Sequence, residues 1–171
     1  MDVMKTAYLG LGSDLGDRSA SLRSSLRLIR ENLGRILACS SVYETEPWGF
    51  SSNTRFLNMA IELETDLNPQ GLLGRIMMVE AMLGRLREGK TYRSRVIDID
   101  ILFYDELCFS QADLTIPHPR LHERRFVLVP MSELAPGLIH PKLKMTISEL
   151  LQSCSDACRV TLLGNIDNME L

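Results

Sequence analysis

No stretch of this chain is apolar enough to cross a bilayer, and its first residues, Met1-Asp2-Val3-Met4-Lys5, carry no apolar run of the signal-peptide kind. Both absences point to a cytoplasmic protein without a membrane partner. Cysteine is sparse: Cys39, Cys108, Cys154 and Cys158 form no Cys-x-x-Cys pair and have no histidine-rich spacing around them. That pattern excludes a zinc ribbon or a disulfide framework and reads as reduced thiols. Excess charge is missing too. A formal net charge of −3 and a pI of about 5.6 argue against a sequence-independent nucleic-acid partner. Repeats and low-complexity segments are absent. Gly10-Leu11-Gly12-Ser13-Asp14-Leu15-Gly16 invites a phosphate-loop reading and fails it. Its third glycine comes one place late for a dinucleotide fingerprint, and no Gly-Lys-Ser/Thr follows.

What is present is a 171-residue chain, 45% hydrophobic and 24% charged, long enough for one domain with a full core. Residues 1–171 are expected to form that single domain, with the core at about 5–150. The chemistry concentrates in Arg93-Ser94-Arg95-Val96-Ile97-Asp98-Ile99-Asp100-Ile101-Leu102-Phe103-Tyr104. Its β-branched and aromatic residues favour a strand. Alternation puts Asp98 and Asp100 on one face and Ile97, Ile99 and Ile101 on the other. Two strand positions span about 7 Å, so both carboxylates can reach one cation cluster. Hard carboxylate oxygens suit Mg²⁺, which binds one or two carboxylates together with substrate phosphates. The plainer alternative is an edge strand with two solvated acids. Just upstream, Arg85, Arg87, Lys90, Arg93 and Arg95 crowd into one loop. A cationic loop beside a carboxylate pair is what a nucleotide-triphosphate site requires, although a solvated charged loop has the same composition.

Alternation recurs elsewhere. In residues 6–12, Ala7, Leu9 and Leu11 share a face while Gly10 and Gly12 leave the opposite face nearly bare. In residues 56–65, Leu57, Met59, Ile61 and Leu63 share one face and Phe56, Asn58 and Ala60 the other. Residues 36–43 read as a further strand and residues 44–55 as a loop broken by Pro47 and Gly49, carrying the only tryptophan, Trp48. That ring either packs back on the domain or faces a flat ligand. Asp17 and Asn68-Pro69 are capping signals for two helices, the first striped by Leu22, Leu26, Ile29 and Leu33, the second by Leu72, Ile76, Val79 and Leu83. Arg18, Arg23, Arg27 and Arg30 fall off the first stripe and read as a solvated face. Glu80 borders the second stripe, either touching a ligand or pairing with arginine at the surface.

The resulting order, strand-helix-strand-strand-helix-strand, is the βαββαβ pattern of an α+β, ferredoxin-like fold: an antiparallel sheet with helices on one face. The apolar faces, Phe103 included, then lie under the helices, and the open face collects Gly10, Gly12, Phe56, Asn58, Asp98 and Asp100. Residues 117–119 make an extended bend that presents His118, able to donate to phosphate or to bond a loop. Residues 126–134 read as a short helix that Pro130 breaks early. Thr146-Ile147-Ser148-Glu149 is a capping box for a last helix. Residues 160–163 add an edge strand in a C-terminal extension whose end is frayed.

These motifs, in this order, resemble the 6-hydroxymethyl-7,8-dihydropterin pyrophosphokinase family of folate biosynthesis over about residues 6–150. The stretch from Arg95 to Leu102 is the most specific. It is supported by Gly12-Ser13, Thr45-Glu46-Pro47-Trp48-Gly49, Phe56-Leu57-Asn58, Glu80, Gly84-Arg85, Thr115-Ile116-Pro117-His118 and Arg124-Arg125-Phe126. The resemblance implies an enzyme, a diphosphotransferase that moves a diphosphate from ATP to the pterin hydroxymethyl group and releases AMP. It implies that Asp98 and Asp100 hold two Mg²⁺ ions and act with Arg85 and Arg95 in catalysis. Glu80, Arg87, Tyr92, Thr115, His118 and Arg124 would bind ATP. The pterin would lie between Phe56 and Phe126, its edge read by Asn58 and the backbone near Thr45, Glu46 and Trp48; Phe126 as pure core is the competing role. A flat, amide-bearing heterocycle needs such stacking faces plus an amide that donates and accepts. The chain departs from the usual family pattern at Asp14, Thr91, Tyr92 and Arg93, mostly in the cationic loop. Other readings of the same fold are another Mg-dependent kinase or nucleotidyltransferase, an RNA-binding module, or a small-molecule-sensing regulatory domain. A monomer is expected, with other folate enzymes as candidate partners.

Overall fold

The structure is a computed structural model that describes residues 3–46, 55–84 and 96–169. The central strand is β1 (Lys5–Ser13). It pairs antiparallel with β4 (Phe56–Thr65) from Lys5↔Thr65 to Ser13↔Leu57, and on its other edge with β5 (Asp98–Tyr104). β2 (Arg35–Cys39) and β3 (Val42–Thr45) both lie along β4, and a late strand, β8 (Val160–Gly164), pairs with β3. The main sheet therefore runs β5-β1-β4-β3-β8, with β2 also on β4. A small hairpin joins β6 (Phe109–Gln111) to β7 (Leu114–Ile116). Helices α1 (Arg18–Asn32) and α2 (Pro69–Met82) belong to the βαββαβ core, and α3 (Arg125–Leu134) and α4 (Ile147–Ser153) follow it. This is the expected α+β, ferredoxin-like fold.

Local chemistry sets the helix ends. The Asp17 side chain accepts the Ala20 N–H at 2.9 Å to open α1. Asn68 accepts the Gly71 N–H at 2.8 Å to open α2, with Pro69 in the first turn, where a missing N–H costs little. After α1 the chain reverses at Gly34, whose φ of 146° is open to glycine. A Cβ there would stand 2.2 Å from the Glu64 carbonyl oxygen. The two amphipathic stripes then bury Leu22, Leu26, Ile29, Leu72, Ile76 and Val79 against Ala7, Leu9, Leu11, Ile61 and Leu63. Each such Leu or Ile contributes about 1.5–3 kcal/mol on full burial.

Several expectations are corrected. The strand over residues 36–43 is two strands that run on to Thr45, interrupted at Ser40. There the Ser40 N–H bonds the Ala60 carbonyl at 2.8 Å, and the Ser40 hydroxyl takes the Ala60 N–H at 2.9 Å in place of a backbone carbonyl. Phe103 does not lie under α1 and α2. The β1–β5 register slips between Tyr8 and Leu9, so Leu102 and Phe103 both turn to the second face and Tyr104 takes the expected place in the first core. That second face is only partly open, because Leu128, Met131, Ile147 and Leu150 of α3 and α4 pack on Ala60, Leu102 and Phe103. Pro130 does not break its helix. Leu128 and Met131 on either side are fully buried, and that packing outweighs one lost backbone bond. The capping box at Thr146 forms as read, with the Glu149 N–H bonded to the Thr146 hydroxyl at 3.2 Å and the Thr146 N–H to the Glu149 carboxylate at 2.7 Å.

Two arginines of α1 are structural ties rather than a solvated face. Arg18 pairs with Glu44 at 3.1 Å and donates to the Arg55 carbonyl at 2.6 Å, while Arg23 donates to the carbonyls of Ile166 and Met169. Residues 166–169 are accordingly held, with Ile166 buried in the first core, and the expected frayed end beyond them lies outside the described residues.

Candidate active site

The antiparallel register assembles the site. Gly12 lies opposite Asn58 on one side and Asp98 on the other, and Gly10 lies between Ala60 and Asp100. Cross-strand partners share a face. These two rows therefore place a bare backbone between an amide and two carboxylates. All of these residues line one pocket on the second face. Its rim comes from three further places: Phe56 at the start of β4, Thr45 and Glu46 at the end of β3, and Arg124 and Phe126 where α3 begins.

Asn58 is 7% exposed and its Nδ2 donates to the Thr45 hydroxyl at 2.5 Å, which fixes the amide's orientation. A Cβ on Gly12 would stand 3.1 Å from Asn58 Oδ1, so the amide oxygen reaches over the glycine. Phe126 is half-buried, and the Arg124 guanidinium lies 5.8 Å from its ring centroid. That spacing allows a cation–π contact and leaves a planar edge beside the ring. Arg124 itself is 7% exposed, so its charge acts in a weakly screened setting.

His118 is half-buried beside this pocket. Its backbone N–H bonds the Leu102 carbonyl at 2.9 Å, and its Nδ1 accepts the Arg120 N–H at 3.2 Å. An accepting Nδ1 leaves the proton on Nε2, which becomes a neutral donor. Burial, then the Arg124 charge, push the imidazole pKa down to about 4 against a weaker opposing pull from Asp98.

Asp98 and Asp100 project to one side of β5, separated by the buried Ile99. Among the described residues no cluster of three or more His, Cys, Asp or Glu side chains is built to hold a metal. A carboxylate pair with no third His, Cys, Asp or Glu beside it among the described residues fits Mg²⁺, which keeps waters and takes its remaining oxygens from substrate phosphates. It does not fit a closed structural zinc site.

The pocket thus unites eight of the candidate substrate- and metal-binding residues named from the sequence, Thr45, Glu46, Phe56, Asn58, Asp98, Asp100, Arg124 and Phe126, with Gly10 and Gly12 between them. Thr115, on β7, and His118 are not among its lining residues. Neither is Glu80, which is 2% exposed and so is not the surface acid that the sequence also allowed. Trp48, Arg85, Arg87, Tyr92 and Arg95 lie outside the described residues. Sequence reasoning passed over Val127 and Pro130 as lining residues. Pro130 carried a signal, but one read only as a helix breaker. Leu102 follows Asp98 and Asp100 on their own face by simple alternation, whereas Val127 is placed by the α3 packing, which alternation does not reveal.

A ferredoxin-like sheet whose second face joins an apolar pocket to a carboxylate pair defines a small-molecule-binding protein of the α+β class. Comparison with known proteins narrows this. The sequence model described as 7,8-dihydro-6-hydroxymethylpterin-pyrophosphokinase matches residues 8–136. The chain is 44% identical over 137 residues to the 2-amino-4-hydroxy-6-hydroxymethyldihydropteridine pyrophosphokinase of Methylorubrum extorquens, covering 80% of this chain and 86% of that one. It is 41% identical over 129 residues to the Bacillus subtilis protein of the same name, covering 75% and 77%. Among solved structures it is similar to Plasmodium falciparum HPPK-DHPS, with a TM-score of 0.76 at 18% identity, over 89% of this chain and 46% of that longer one. The chain belongs to the 7,8-dihydro-6-hydroxymethylpterin-pyrophosphokinase family.

Proposed function

We propose that residues 1–171 work as a single pyrophosphokinase domain whose second sheet face is the active site. The protein is a transferase that carries out ATP-dependent diphosphate transfer to 6-hydroxymethyl-7,8-dihydropterin in folate biosynthesis. The hydroxymethyl oxygen gives up its proton to water and forms a bond to the β-phosphorus of ATP, the bond from that phosphorus to the α-phosphate oxygen breaks, and AMP leaves with the electron pair. The observation that carries the site assignment is the register Asn58–Gly12–Asp98, which puts a ring-reading amide one strand away from the first carboxylate on each side of a bare glycine.

In this reading the pterin lies between Phe56 and Phe126. Asn58, held by Thr45, donates to and accepts from its ring edge, and the backbone at Thr45, Glu46 and Trp48 reads the rest. Asp98 and Asp100 hold two Mg²⁺ ions, which when bound supply charge neutralisation on the triphosphate and acidify the attacking hydroxyl. Arg85 and Arg95 neutralise charge on the transferring group. Glu80, Arg87, Tyr92, Thr115, His118 and Arg124 serve the nucleotide. For His118 the support is its neutral Nε2–H, a donor suited to a phosphate or base oxygen. We further infer a cytoplasmic monomer without a nucleic-acid partner, with other folate enzymes as candidate partners. No helix among the described residues is long and apolar enough to cross a membrane.

The test is isotopic. With ATP labelled at its β-phosphorus, label is expected in the pterin product in the presence of Mg²⁺ and absent with EDTA. Label remaining entirely with the nucleotide would remove the assignment.

A further inference from the structure

The segment after α4 bonds to both walls of the ring slot without lining it. Asp156 Oδ2 accepts the Arg125 N–H at 2.9 Å, and its Oδ1 accepts the Cys158 N–H at 2.9 Å. Arg125 opens α3 between Arg124 and Phe126, which both line the slot. The helix has no side-chain cap of its own at Arg124. A carboxylate borrowed from elsewhere in the chain takes that place, satisfying a first-turn N–H and opposing the positive end of the helix dipole. On the other wall, Cys158 Sγ lies 3.7 Å from the Glu46 carbonyl and 3.8 Å from that of Arg159, within reach of weak S–H···O bonds. Burial, with the Asp156 charge beside it, pushes the thiol pKa up, so it stays a protonated donor at neutral pH. Two residues on, Val160 pairs with Thr45, and β8 continues along β3.

We propose that residues 156–158 form a strap that sets the spacing between Phe126 and the Thr45–Glu46 wall, with Asp156 as the positioning residue of the ring slot. This rests on reading that slot as the pterin site. Phe126 is carried by a helix and Glu46 follows a strand, and among the described residues no strand pairing joins those two places. The strap supplies a hydrogen-bonded path of three residues between them. A ring that stacks on Phe126 while its edge bonds the Thr45–Glu46 backbone makes both contacts at one separation of those walls, so loosening one wall weakens ring binding. Asp98 and Asp100 stand on β5 and are untouched.

The test compares Asp156→Ala with Thr146→Ala, which removes the α4 capping box away from the slot. Asp156→Ala is expected to raise both the pterin KM and the directly measured pterin Kd by about tenfold, the loss of one charge-assisted bond, with kcat and the ATP KM within about twofold. Thr146→Ala is expected to lower Tm without moving the pterin KM. An unchanged pterin KM in active Asp156→Ala, or an equal rise in Thr146→Ala, overturns the strap and leaves the enzyme assignment standing. Should the wild type fail to turn over, the enzyme assignment falls and hydrogen exchange decides the strap. Faster exchange at residues 125–128 and at 45–46 together in Asp156→Ala supports it. Faster exchange confined to residues 154–160 overturns it.

Discussion

Gly12→Ala adds one methyl group on the strand position between Asn58 and Asp98, where the proposed ring edge and metal site adjoin. Its Cβ would stand 3.1 Å from Asn58 Oδ1, closer than ordinary contact, so something must move by a few tenths of an ångström. Asn58 is poorly placed to do so. Its Nδ2 is bonded to the Thr45 hydroxyl at 2.5 Å, and its backbone is paired on both sides, with Gly12 and with Tyr43. Gly12 has no positive φ, so alanine fits the backbone and lowers the entropy of the unfolded chain, a gain of about 0.4–1 kcal/mol that offsets the contact. Net stability is therefore expected within about 1 kcal/mol of wild type. Ring binding loses one well-placed hydrogen bond, about 0.5–1.5 kcal/mol, and the methyl group occupies part of the slot. The combined expectation is a rise of about tenfold or more in pterin Kd and KM, with the ATP KM unchanged. Steady-state kinetics, pterin titration and thermal unfolding read all three quantities. A folded variant whose pterin Kd stays within about twofold of wild type would refute the placement of Asn58 at the ring edge.

Four further outcomes follow from the same geometry. Asp98→Asn and Asp100→Asn are each expected to lower Mg²⁺-dependent kcat by at least about 100-fold while leaving the urea midpoint near wild type, and either variant retaining activity would remove the metal assignment. Gly34→Ala is expected to cost more than about 2 kcal/mol in urea unfolding, because its Cβ would collide with the Glu64 carbonyl at 2.2 Å, with activity per folded molecule unchanged. Glu133 anchors α3 to β3 by accepting from the Tyr43 hydroxyl at 2.5 Å and from the Ser41 N–H and hydroxyl at 2.9 Å. Burial alone would raise its pKa, but these bonds outweigh it and hold the value below the ordinary carboxylate range. A depressed folded value gives stability that is present above the unfolded pKa and lost as pH falls through the folded one. Glu133→Gln should therefore cost up to about 1 kcal/mol near neutral pH, and the gap to wild type should close in acid; a constant gap would count against the anchor. Tyr43, whose pKa burial and Glu133 push up to about 12, has the opposite sign: the stability it adds over Tyr43→Phe should hold below pH 10 and shrink toward about 12.

Much of this architecture was legible because period-two alternation in β1, β4 and β5 survives folding almost unchanged. Ala7, Leu9, Leu11, Leu57, Met59, Ile61, Ile97, Ile99 and Ile101 all enter the first core as read. The same alternation placed Gly10, Gly12, Asn58, Asp98 and Asp100 together, since side chains on one face of paired strands must be neighbours. Illegible features were those in which a third element decides. A one-residue slip at Leu9 sent Phe103 to the other face. Ser40 broke a strand by offering its hydroxyl where a carbonyl belongs. Pro130 stayed helical because its neighbours were buried by a sheet far away in sequence. The ties on residues 156–169, from Arg23 and to Arg125, were illegible because they come from partners more than 30 residues away.

The most direct test of the central claim is identification of the nucleotide product. With Mg²⁺, ATP and 6-hydroxymethyl-7,8-dihydropterin, the account predicts AMP in equal amount to diphosphorylated pterin, and none when pterin is omitted. ADP with a monophosphorylated pterin, or nucleotide turnover indifferent to pterin, would contradict it.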